Sequence, residues 1–556
     1  MMPWRPAQRA GHAAGKRKRS SSMPADNRQA FGQAVGAVEE GAPRTVAVID
    51  IGTTSIRMVV AQVGADGAMR TLDNLQQAVA VGRDTYTTGE ISRTTIEECV
   101  RVLSSYRQVM AEYHVSGTEQ VRCVATAAVR EAVNRIAFID RIYIATGLVV
   151  EPLDEIDITR LTYLGLYAQI AWDRTLSNAE VLVAAMEGGS TDLIFLDKGR
   201  VTFSRNYRLG SLKLQKMLET YHEPAAHERE LMEDHIKQTV AVIKRNLPKR
   251  DQVHLLALGS EARFVAAQTQ PEWDKSGIVA IPMQTYSRFT SQLMDLSVDK
   301  VTRSYHLPYA EAETIAPTLY FYQRLARAVR AKHIRVSGIS MRTGVLLEMA
   351  RRGVWVGAFG DQILEPAREV GRKYEVHETH AEHVGVLGRA LFAALQPEHQ
   401  LGPWHELLLT VAALLHDVGL FVSERSHHKH SYYLVNNSEL FGLSRKDTLI
   451  VALLARYHRR AAPRPTHEGF AQLDRDDRVV VAKLAAILRI ADALDRSYSQ
   501  RVRDIQCIKE KGRFVIEVPN VIDLSLEDLA LRGKGRMFED VYGMEVVLRP
   551  RGRKTV

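Results

Sequence analysis

Cysteine is scarce in this sequence, and long uncharged apolar runs are missing. The 556 residues include three cysteines, Cys99, Cys123 and Cys507, which lie too far apart for a CxxC pair or a zinc ribbon. A disulfide framework is therefore excluded, and a reducing compartment, the cytoplasm, is expected. No run of about 18 uncharged apolar residues occurs, so the sequence predicts no membrane-spanning helix. The basic N-terminal KRKRSSS segment lacks an apolar stretch, so no secretory signal is expected.

Acidic residues are fewer than basic ones, but this imbalance is confined to the two ends of the chain. There are 74 Lys and Arg residues against 65 Asp and Glu residues, a net charge of +9. Residues 1–43 and 549–556 carry +4 each, which leaves +1 for 44–548. A nearly neutral body argues against a surface that wraps nucleic acid or membrane. Its 46% apolar and 25% charged content is typical of globular domains.

The order of sequence patterns divides the chain into six parts. These are a disordered basic tail (1–43), two α/β lobes (44–170 and 171–345), a helical domain (346–502), a small α+β domain (503–548) and a basic tail (549–556). The strand–turn–strand pattern VAVIDIGTTSIRMVVAQ recurs as VLVAAMEGGSTDLIFLD, an internal repeat spaced by about 135 residues. Such a repeat predicts two similar lobes whose loops face one cleft. Single helices are predicted over 94–113 and 127–147.

Two loops of the repeat have the composition of anion-binding turns. DIGTTS (50–55) and EGGST (187–191) place glycine and hydroxyl residues between strands, where successive backbone N–H groups can surround an anion. A plain hairpin would explain either loop alone, but two equivalent loops and a Gly-Ser pair favour a phosphate-binding cleft. Asp50 ends its strand where a divalent cation could bind. The predicted phosphate-binding residues are Gly52, Thr53, Thr54, Ser55, Arg57, Gly188, Gly189, Ser190, Thr191, Gly259 and Ser260.

Several longer segments resemble the exopolyphosphatase / guanosine pentaphosphate phosphatase family. The similar segments are VAVIDIGTTSIRMVVAQ, VATAAVREAVN, SRNYRLGSLKL, ALGSEAR and SGISMRTGVLLEM. The resemblance implies an α/β fold of two lobes of the actin, Hsp70 and sugar kinase type, which is RNase H-like. It also implies hydrolysis of terminal phosphoanhydride bonds in polyphosphate or guanosine polyphosphates. A catalytic role for Asp50, a phosphate contact from Arg130, Mg or Mn in the cleft, and a homodimer are further implications.

Two positions depart from the pattern of that family. Where the family has the glutamate that activates water, this sequence has Ile158, which cannot accept a proton. Its neighbour Asp157 would face elsewhere on either a strand or a helix. The metal-side aspartate of the second loop is replaced by Ala185, and one glycine by Glu187, which either repels phosphate or replaces the lost cation ligand. We therefore expect a cleft that binds phosphate but hydrolyses it slowly or not at all.

The helical region carries an ordered series of histidines and aspartates on apolar segments. Buried His and Asp side chains need partners, and a metal ion supplies them. These ligand types suit Mn, Fe, Zn, Ni or Co. Because the chain has 19 histidines, chance pairs occur: His427 and His428 are interpreted as surface loop residues, and His383 competes with His380. The predicted metal ligands are His380, His416, Asp417, His430, His458 and Asp492.

This series resembles the metal phosphohydrolases of the HD type. The resemblance implies an all-α HD domain, and the two additional histidines imply a second metal ion and hydrolysis by a two-metal mechanism in which Asp417 is catalytic. Basic residues flank the ligands and either clamp substrate phosphates or form a solvated helix end. They are Lys429, Arg456, Arg459 and Arg460.

Three functional hypotheses follow from the two constellations. The first is a phosphohydrolase of the exopolyphosphatase / guanosine pentaphosphate phosphatase type acting in the cleft, against which Ile158 and Ala185 count. The second is an HD phosphohydrolase that is regulated by a cleft sensing phosphate or nucleotide, and the intact ligand set favours it. The third is a non-enzymatic sensor. In each case polyphosphate or a guanosine polyphosphate is the expected ligand, with no membrane and no specific nucleic acid as partner.

Overall fold

The fold is given by a computed structural model that describes residues 43–551 with short gaps. The gaps are 65–67, 220–224, 251, 276, 352–355, 439, 460, 520 and 522. Almost all of the predicted tails, and the candidate clamp residue Arg460, therefore lie outside the described residues.

The first lobe is built on a five-stranded sheet in the order β3-β2-β1-β4-β5. The first two strands form the predicted antiparallel hairpin, with Asp50 opposite Arg57, and the fourth runs parallel to the first. The strands are β1 (Arg44–Ile51), β2 (Ser55–Val63), β3 (Met69–Ala78), β4 (Val121–Ala125) and β5 (Val150–Pro152). The helices are α1 (Val81–Thr88), α2 (Arg93–Glu112), α3 (Ala127–Glu131) and α4 (Arg135–Thr146).

The helix predicted over 127–147 was wrong as a single element, because it is interrupted between α3 and α4. The Asn134 side chain bonds the backbone of Ile91 in both directions, at 2.8 and 3.0 Å, and Val133 N–H donates to the Gly89 carbonyl at 3.0 Å. These long-range bonds replace the helical ones that the segment would otherwise make. The predicted end is confirmed, since Gly147 adopts a left-handed conformation with φ 70°.

The second lobe repeats the strand–turn–strand arrangement within a six-stranded sheet, in the order β10-β11-β9-β6-β7-β8. Its strands are β6 (Glu180–Met186), β7 (Thr191–Asp197), β8 (Arg200–Tyr207), β9 (His254–Leu258), β10 (Ile278–Pro282) and β11 (His333–Ser337). The helices are α5 (Glu155–Trp172), α6 (Ser211–Glu219), α7 (Ala225–Asn246), α8 (Ser260–Thr269), α9 (Met283–Met294), α10 (Val298–Tyr305), α11 (Tyr309–Ala328) and α12 (Met341–Arg351). Helix α5 runs across the boundary predicted at 170/171, and α12 runs across the one predicted at 345/346.

The described residues of the next region form helices joined by loops, without a strand. Its helices are α13 (Val356–Lys373), α14 (Glu378–Ala394), α15 (Gln396–His399), α16 (Pro403–Leu415), α17 (His427–Asn436), α18 (Arg445–Tyr457) and α19 (Arg475–Leu494). Contrary to the expectation from the sequence, Pro403–Phe421 is long and apolar enough to cross a membrane, but 72% of it is buried inside the fold. A core helix passes the same length and composition test, so this segment is weak support for membrane insertion.

The last described region combines a small sheet with two helices, an α+β arrangement. The sheet order is β12-β13-β14, with β13 and β14 parallel. The elements are β12 (Gln506–Glu510), β13 (Arg513–Pro519), α20 (Ser525–Lys534), α21 (Arg536–Tyr542) and β14 (Glu545–Arg551). Phe514 and Phe538 are buried, and their ring centroids lie 5.4 Å apart, which joins the sheet to its helices.

Candidate functional sites

The two repeated loops meet at a cavity between the lobes, of about 80 Å³, which we call the interlobe cavity. A Cβ atom added to Gly188 would lie 2.5 Å from the Thr53 side chain, so the loops approach more closely than any larger residue allows. The predicted residues that line the cavity are Asp50, Gly52, Thr53, Thr54, Arg57, Gly188, Gly259 and Ser260.

Five other predicted phosphate-binding residues do not line the interlobe cavity. Thr191 donates its hydroxyl to the Leu209 carbonyl at 2.6 Å. The Arg130 guanidinium donates to the Leu153 carbonyl at 2.8 Å and lies 3.6 Å from the Glu155 carboxylate. Their polar groups are thus already bonded within the fold. The others are Ser55, Gly189 and Ser190, all buried in or beside the loops.

Three guanidinium groups converge on the interlobe cavity. Arg342 Nη1 lies 3.2 Å from Asp50 Oδ2, and Arg57 Nη2 donates to Ser260 Oγ at 3.4 Å. Arg263 Nη1 is buried and has no hydrogen-bond partner among the described residues. Burial, reinforced by the neighbouring charges of Arg57 and Arg342, lowers the pKa of Arg263 to about 10. Such a group is stabilised by any anion that enters the cavity.

Arg263 and Arg342 lie in segments that resemble the family, but neither was predicted as a site residue. Both follow a glycine turn at the end of a strand, at Gly259 and Gly338, and both sit in the first turn or two of the next helix. An arginine at this position in both strand–turn–helix units is the sequence pattern that could have identified them as cavity residues.

Glu187 also lines the interlobe cavity and faces other acidic residues. Burial, together with the nearby Asp192 and Asp50, raises the pKa of Glu187 to about 8. At neutral pH its carboxyl group is therefore mostly protonated and repels phosphate little. Asp50 Oδ1 is buried with no hydrogen-bond partner among the described residues, which leaves an acceptor free for a cation or its water.

The position where the resemblance places a catalytic glutamate holds no proton acceptor. Ile158 lies on α5, is 4% exposed and packs in the hydrophobic core. Its neighbour Asp157 lies 3.6 Å from Arg160 and does not line the interlobe cavity. Burial, followed by the charge of Asp154, raises the pKa of Asp157 to about 7, although Arg160 opposes this. Ala185 does line the cavity and offers only a methyl group.

The helical region brings five of the six predicted metal ligands together. His416 and Asp417 directly follow α16, and His416 Nε2 lies 3.5 Å from Asp417 Oδ2. His458 follows α18, and its Nε2 lies 3.6 Å from Asp417 Oδ1. His380 of α14 lies 3.7 Å, through Nε2, from Oδ1 of Asp492 on α19. Each of the five residues is at most 8% exposed.

The structure places His427, and not the predicted sixth ligand His430, at the cluster. His427 Nε2 is 3.4 Å from Asp417 Oδ1 and 3.2 Å from His458 Nε2. Helix α17 buries His427, Ser431 and Val435, which are spaced four apart on one face, and His430 lies off that face. His427 is therefore a buried helix residue and not a surface loop residue. The spacing of four residues from His427 to Ser431 and on to Val435 is the sequence pattern that would have indicated a buried His427.

We use the name His–Asp cluster for the six residues that this geometry groups. They are His380, His416, Asp417, His427, His458 and Asp492. His383, the competitor of His380, instead bonds the Val502 carbonyl at 2.8 Å.

Hydrogen bonds at the Nδ1 atoms fix the orientation of three imidazole rings in the cluster. His416 and His458 place Nδ1 2.8 and 2.6 Å from the carbonyl oxygens of Ala413 and Ala455. Since a carbonyl oxygen can only accept, Nδ1 carries the hydrogen and the lone pair of the neutral ring is on Nε2. His380 donates Nδ1–H to Asp495 Oδ2 at 2.8 Å. Outer partners of this kind orient histidines that bind metals.

The His–Asp cluster fits a pair of divalent metal ions. Nε2 of His380 and Nε2 of His416 are buried and have no hydrogen-bond partner among the described residues. Ligand atoms within 4.8 Å of one another form two groups, His380–His416–Asp417 and Asp417–His427–His458, which share Asp417. Imidazole and carboxylate donors suit transition metals. The 3.2 Å approach of His427 Nε2 to His458 Nε2 also requires a cation or a shared proton between them.

Three further side chains contact the His–Asp cluster and were not anticipated. Tyr498 donates its hydroxyl to Asp417 Oδ2 at 3.0 Å and stacks on His380, with ring centroids 3.9 Å apart. Lys534 forms an ion pair with Asp492 Oδ2. Asp495 is the partner of His380. Burial opposes protonation of His380, but Asp492 and Asp495 outweigh it and raise the pKa of His380 to about 9.

Among the predicted clamp residues that the structure describes, Arg459 contacts the His–Asp cluster. Its Nη1 lies 3.4 Å from Nδ1 of His427. Arg456 instead stacks over the Tyr432 ring at 5.2 Å, and Lys429 is exposed. A phosphate-clamping role for these residues stays a prediction.

Comparison with known proteins decides the family. The profile of the Ppx/GppA phosphatase family matches residues 46–353, and that of Ppx/GppA phosphatase domain III matches 365–530. The chain belongs to the Ppx/GppA phosphatase family. Family membership makes it a phosphohydrolase, and domain III of that family covers most of the helical region and continues into α20.

Two curated relatives cover most of the chain at low identity. Both are called guanosine-5'-triphosphate,3'-diphosphate pyrophosphatase. The protein from Photobacterium profundum is 21% identical over 456 residues, which is 80% of this chain and 85% of the relative. The protein from Aeromonas hydrophila is 23% identical over 458 residues, 80% of this chain and 86% of the relative.

A solved structure supports the actin-like α/β fold of the lobes. An exopolyphosphatase from Cytophaga hutchinsonii aligns with a TM-score of 0.50 and 20% identity, over 55% of this chain and 98% of that one. At this identity the likeness concerns the fold alone.

Proposed function

We propose that this chain hydrolyses terminal phosphoanhydride bonds of polyphosphate or a guanosine polyphosphate, and that the His–Asp cluster is its hydrolytic centre. The observation that carries this proposal is the pair of buried, unpartnered nitrogens, His380 Nε2 and His416 Nε2. Unpaired buried polar atoms are costly in a folded protein, and within the described residues a metal ion is the simplest partner that fits both. The names of the curated relatives support the choice of substrates.

In this proposal the helical region is an HD-type domain with a dinuclear centre. Asp417 belongs to both ligand groups and would be shared by the two ions. The imidazole-rich donor set favours Mn, Fe, Zn, Ni or Co over Mg. A bound pair of such ions would supply a nucleophile at neutral pH and neutralise charge on the phosphoryl oxygens.

The chain's own residues prepare the His–Asp cluster for that chemistry. The carbonyl and carboxylate partners of the Nδ1 atoms hold the three rings with Nε2 pointing inward. Tyr498 orients Asp417 through its hydroxyl and covers one face of His380, which limits access of bulk water. Arg459, at the edge beside His427, is placed to contact a phosphate of the substrate.

The interlobe cavity has a different part in this proposal, namely binding a phosphoryl group without hydrolysing it efficiently. Arg57, Arg263 and Arg342 supply guanidinium donors to an anion. Asp50 is placed to hold Mg or Mn or its water, but Ile158 and Ala185 supply neither a base nor a second cation ligand. We propose that occupancy of this cavity regulates the His–Asp cluster.

One experiment tests the placement of activity. The purified full-length chain is analysed for bound metal, and hydrolysis of polyphosphate and guanosine pentaphosphate is measured for wild type, Asp417→Ala and Asp50→Ala. Loss of activity in Asp417→Ala with most activity kept in Asp50→Ala is the expected result. The opposite pattern would move the hydrolytic centre to the interlobe cavity.

A sensor without enzymatic activity is the second candidate, and the unpartnered Arg263 Nη1 favours it. Tight binding of polyphosphate by a metal-loaded chain that hydrolyses neither substrate would select this candidate. A cytoplasmic location is proposed from the scarcity of cysteine. A homodimer is proposed on family resemblance alone, and sedimentation analysis of the purified chain tests it.

A further inference from the structure

Lys534 brings a positive charge from the α+β region to the His–Asp cluster. It is the last residue of α20, and its side chain is 13% exposed. Its ammonium pairs with Asp492, whose side chain is 7% exposed. Lysine side chains are rarely buried unless they are paired. Here the pairing partner, Asp492, also faces candidate metal ligands, so Lys534 is more than a solvated surface charge.

The position of Lys534 is built into the fold. Glu527, Leu531 and Lys534 lie four and three residues apart and so share one face of α20, and Glu527 and Leu531 are buried on it. Glu527 is fully buried and accepts hydrogen bonds from Arg501 Nε at 3.1 Å and Ser497 Oγ at 3.2 Å. These bonds hold α20 against the segment that follows α19. The Lys534 ammonium is therefore held beside Asp492.

The two oxygens of Asp492 have different neighbours. Lys534 pairs with Oδ2, whereas Oδ1 is the atom that faces His380 Nε2 at 3.7 Å and His416 Nε2 at 4.0 Å. The ammonium and a metal ion at those nitrogens would therefore share a single carboxylate. Two cations on one carboxylate repel each other strongly where water is scarce.

We propose that Lys534 is a built-in counter-ion of Asp492 that stabilises the metal-free cluster and lowers its affinity for metal. This inference rests on the proposed metal centre. Without metal, the ammonium compensates the buried charge of Asp492, which would otherwise destabilise the fold. When metal binds, its attraction to Asp492 is reduced by the ammonium. The α+β region, through Lys534, thereby sets the affinity of the His–Asp cluster for metal.

The test measures Mn²⁺ binding to the metal-free full-length chain by calorimetry. Lys534→Met should tighten binding by at least about tenfold, since it removes a charge close to the ion. Lys534→Arg, which keeps the charge, should bind like wild type. Lys509→Met is the matched control, because Lys509 lies in the same region but pairs with Glu398 and is 36% exposed. It should leave Mn²⁺ affinity unchanged.

Thermal unfolding gives a second readout that does not depend on activity. Metal-free Lys534→Met should unfold at a lower temperature than wild type, and saturating Mn²⁺ should remove most of that difference. If Lys534→Met does not fold, Lys534→Gln replaces it, because glutamine keeps a donor to Asp492 without the charge and should also bind Mn²⁺ more tightly.

The outcomes separate this inference from the proposed function. Equal or weaker Mn²⁺ binding by the uncharged variants overturns the role of Lys534 but leaves the metal centre standing. If wild type binds no more Mn²⁺ than Asp417→Ala, the metal centre fails and the inference fails with it.

Discussion

The interlobe cavity and the His–Asp cluster both hold buried carboxyl groups, but the pKa values of these groups move in opposite directions. Burial and neighbouring acids raise the pKa of Glu187 in the cavity to about 8. In the cluster, burial acts in the same direction on Asp417, but His416 and His458 outweigh it and lower the pKa. Lys534 and the histidines hold the pKa of Asp492 well below its usual value.

This difference shows what each site is suited to hold. A neutral Glu187 among three arginines leaves the cavity attractive to anions at neutral pH. Ionised Asp417 and Asp492 leave the cluster attractive to cations. The site suited to anions and the site suited to cations lie in separate regions of this chain.

The largest expected effect is on hydrolysis when the shared ligand is removed. Asp417→Ala should lower hydrolysis of polyphosphate by at least about 100-fold and abolish tight Mn²⁺ binding. Loss of a residue that only hydrogen-bonds a metal ligand typically lowers metal affinity or activity about 10–100-fold, and loss of a ligand should cost more. Phosphate binding in the cavity, measured by calorimetry, should not change. Asp50→Ala is the matched acidic control, and a greater loss of hydrolysis there would reverse the comparison between the two sites.

The next prediction sharpens the ligand assignment of the cluster. His427→Ala should weaken Mn²⁺ binding by about 10–100-fold, because its Nε2 is one of the atoms grouped with Asp417. His430→Ala, on the same helix and with the same change of side chain, should bind Mn²⁺ like wild type. Equal losses in the two variants would contradict the placement of α17.

How far the sequence determines these sites can be judged from these two histidines. The ordered series that contains His416, Asp417, His458 and Asp492 can be recognised because each residue lies in, or directly after, an apolar helix. The choice between His427 and His430 depends on where α17 begins, and helix ends are poorly defined by local sequence. Nothing local marks Lys534, since its partner Asp492 lies 42 positions earlier and the pair forms only when α20 packs on α19.

The same distinction applies to the fold. The repeated strands around DIGTTS and EGGST are strongly patterned, and both hairpins form as predicted. The break between α3 and α4 arises from the bonds of Asn134 to Ile91, a contact between distant residues that periodicity cannot reveal.

A smaller effect is expected in the cavity. Arg263→Ala should weaken phosphate or polyphosphate binding by about tenfold, the size expected for a lost hydrogen bond to a charged group. Hydrolysis at saturating substrate should fall less than binding does. Arg174→Ala removes an equal charge from an exposed position and serves as the control. If both variants bind alike, the buried guanidinium is not part of the phosphate site.

The smallest predicted effect is a change in pH dependence. The folded pKa of Glu187, about 8, lies above its usual 4.5, so its ionisation costs folded stability progressively as pH rises from about 4.5 to 8. Above pH 8 the ionised group should also weaken phosphate binding several-fold. Glu187→Gln should be more stable than wild type at pH 8.5 in urea denaturation, with a smaller difference at pH 5.

Phosphate titrations of the same pair complete the test. Glu187→Gln should keep its phosphate affinity from pH 7 to pH 9 better than wild type does. Parallel pH profiles in the two proteins would show that Glu187 does not titrate in the cavity.

The contact of α5 with α12 has a mechanical consequence. A Cβ atom added to Gly344 would lie 1.8 Å from the Leu161 carbonyl oxygen, and one added to Gly165 would lie 2.8 Å from the Ile339 side chain. Backbones this close cannot slide past each other without a clash. We therefore expect the two helices to move as one rigid unit. Arg342 pairs with Asp50 near one end of this unit, and Glu348 pairs with Arg160 near the other end. We expect a ligand that displaces Arg342 to move α5 and α12 together.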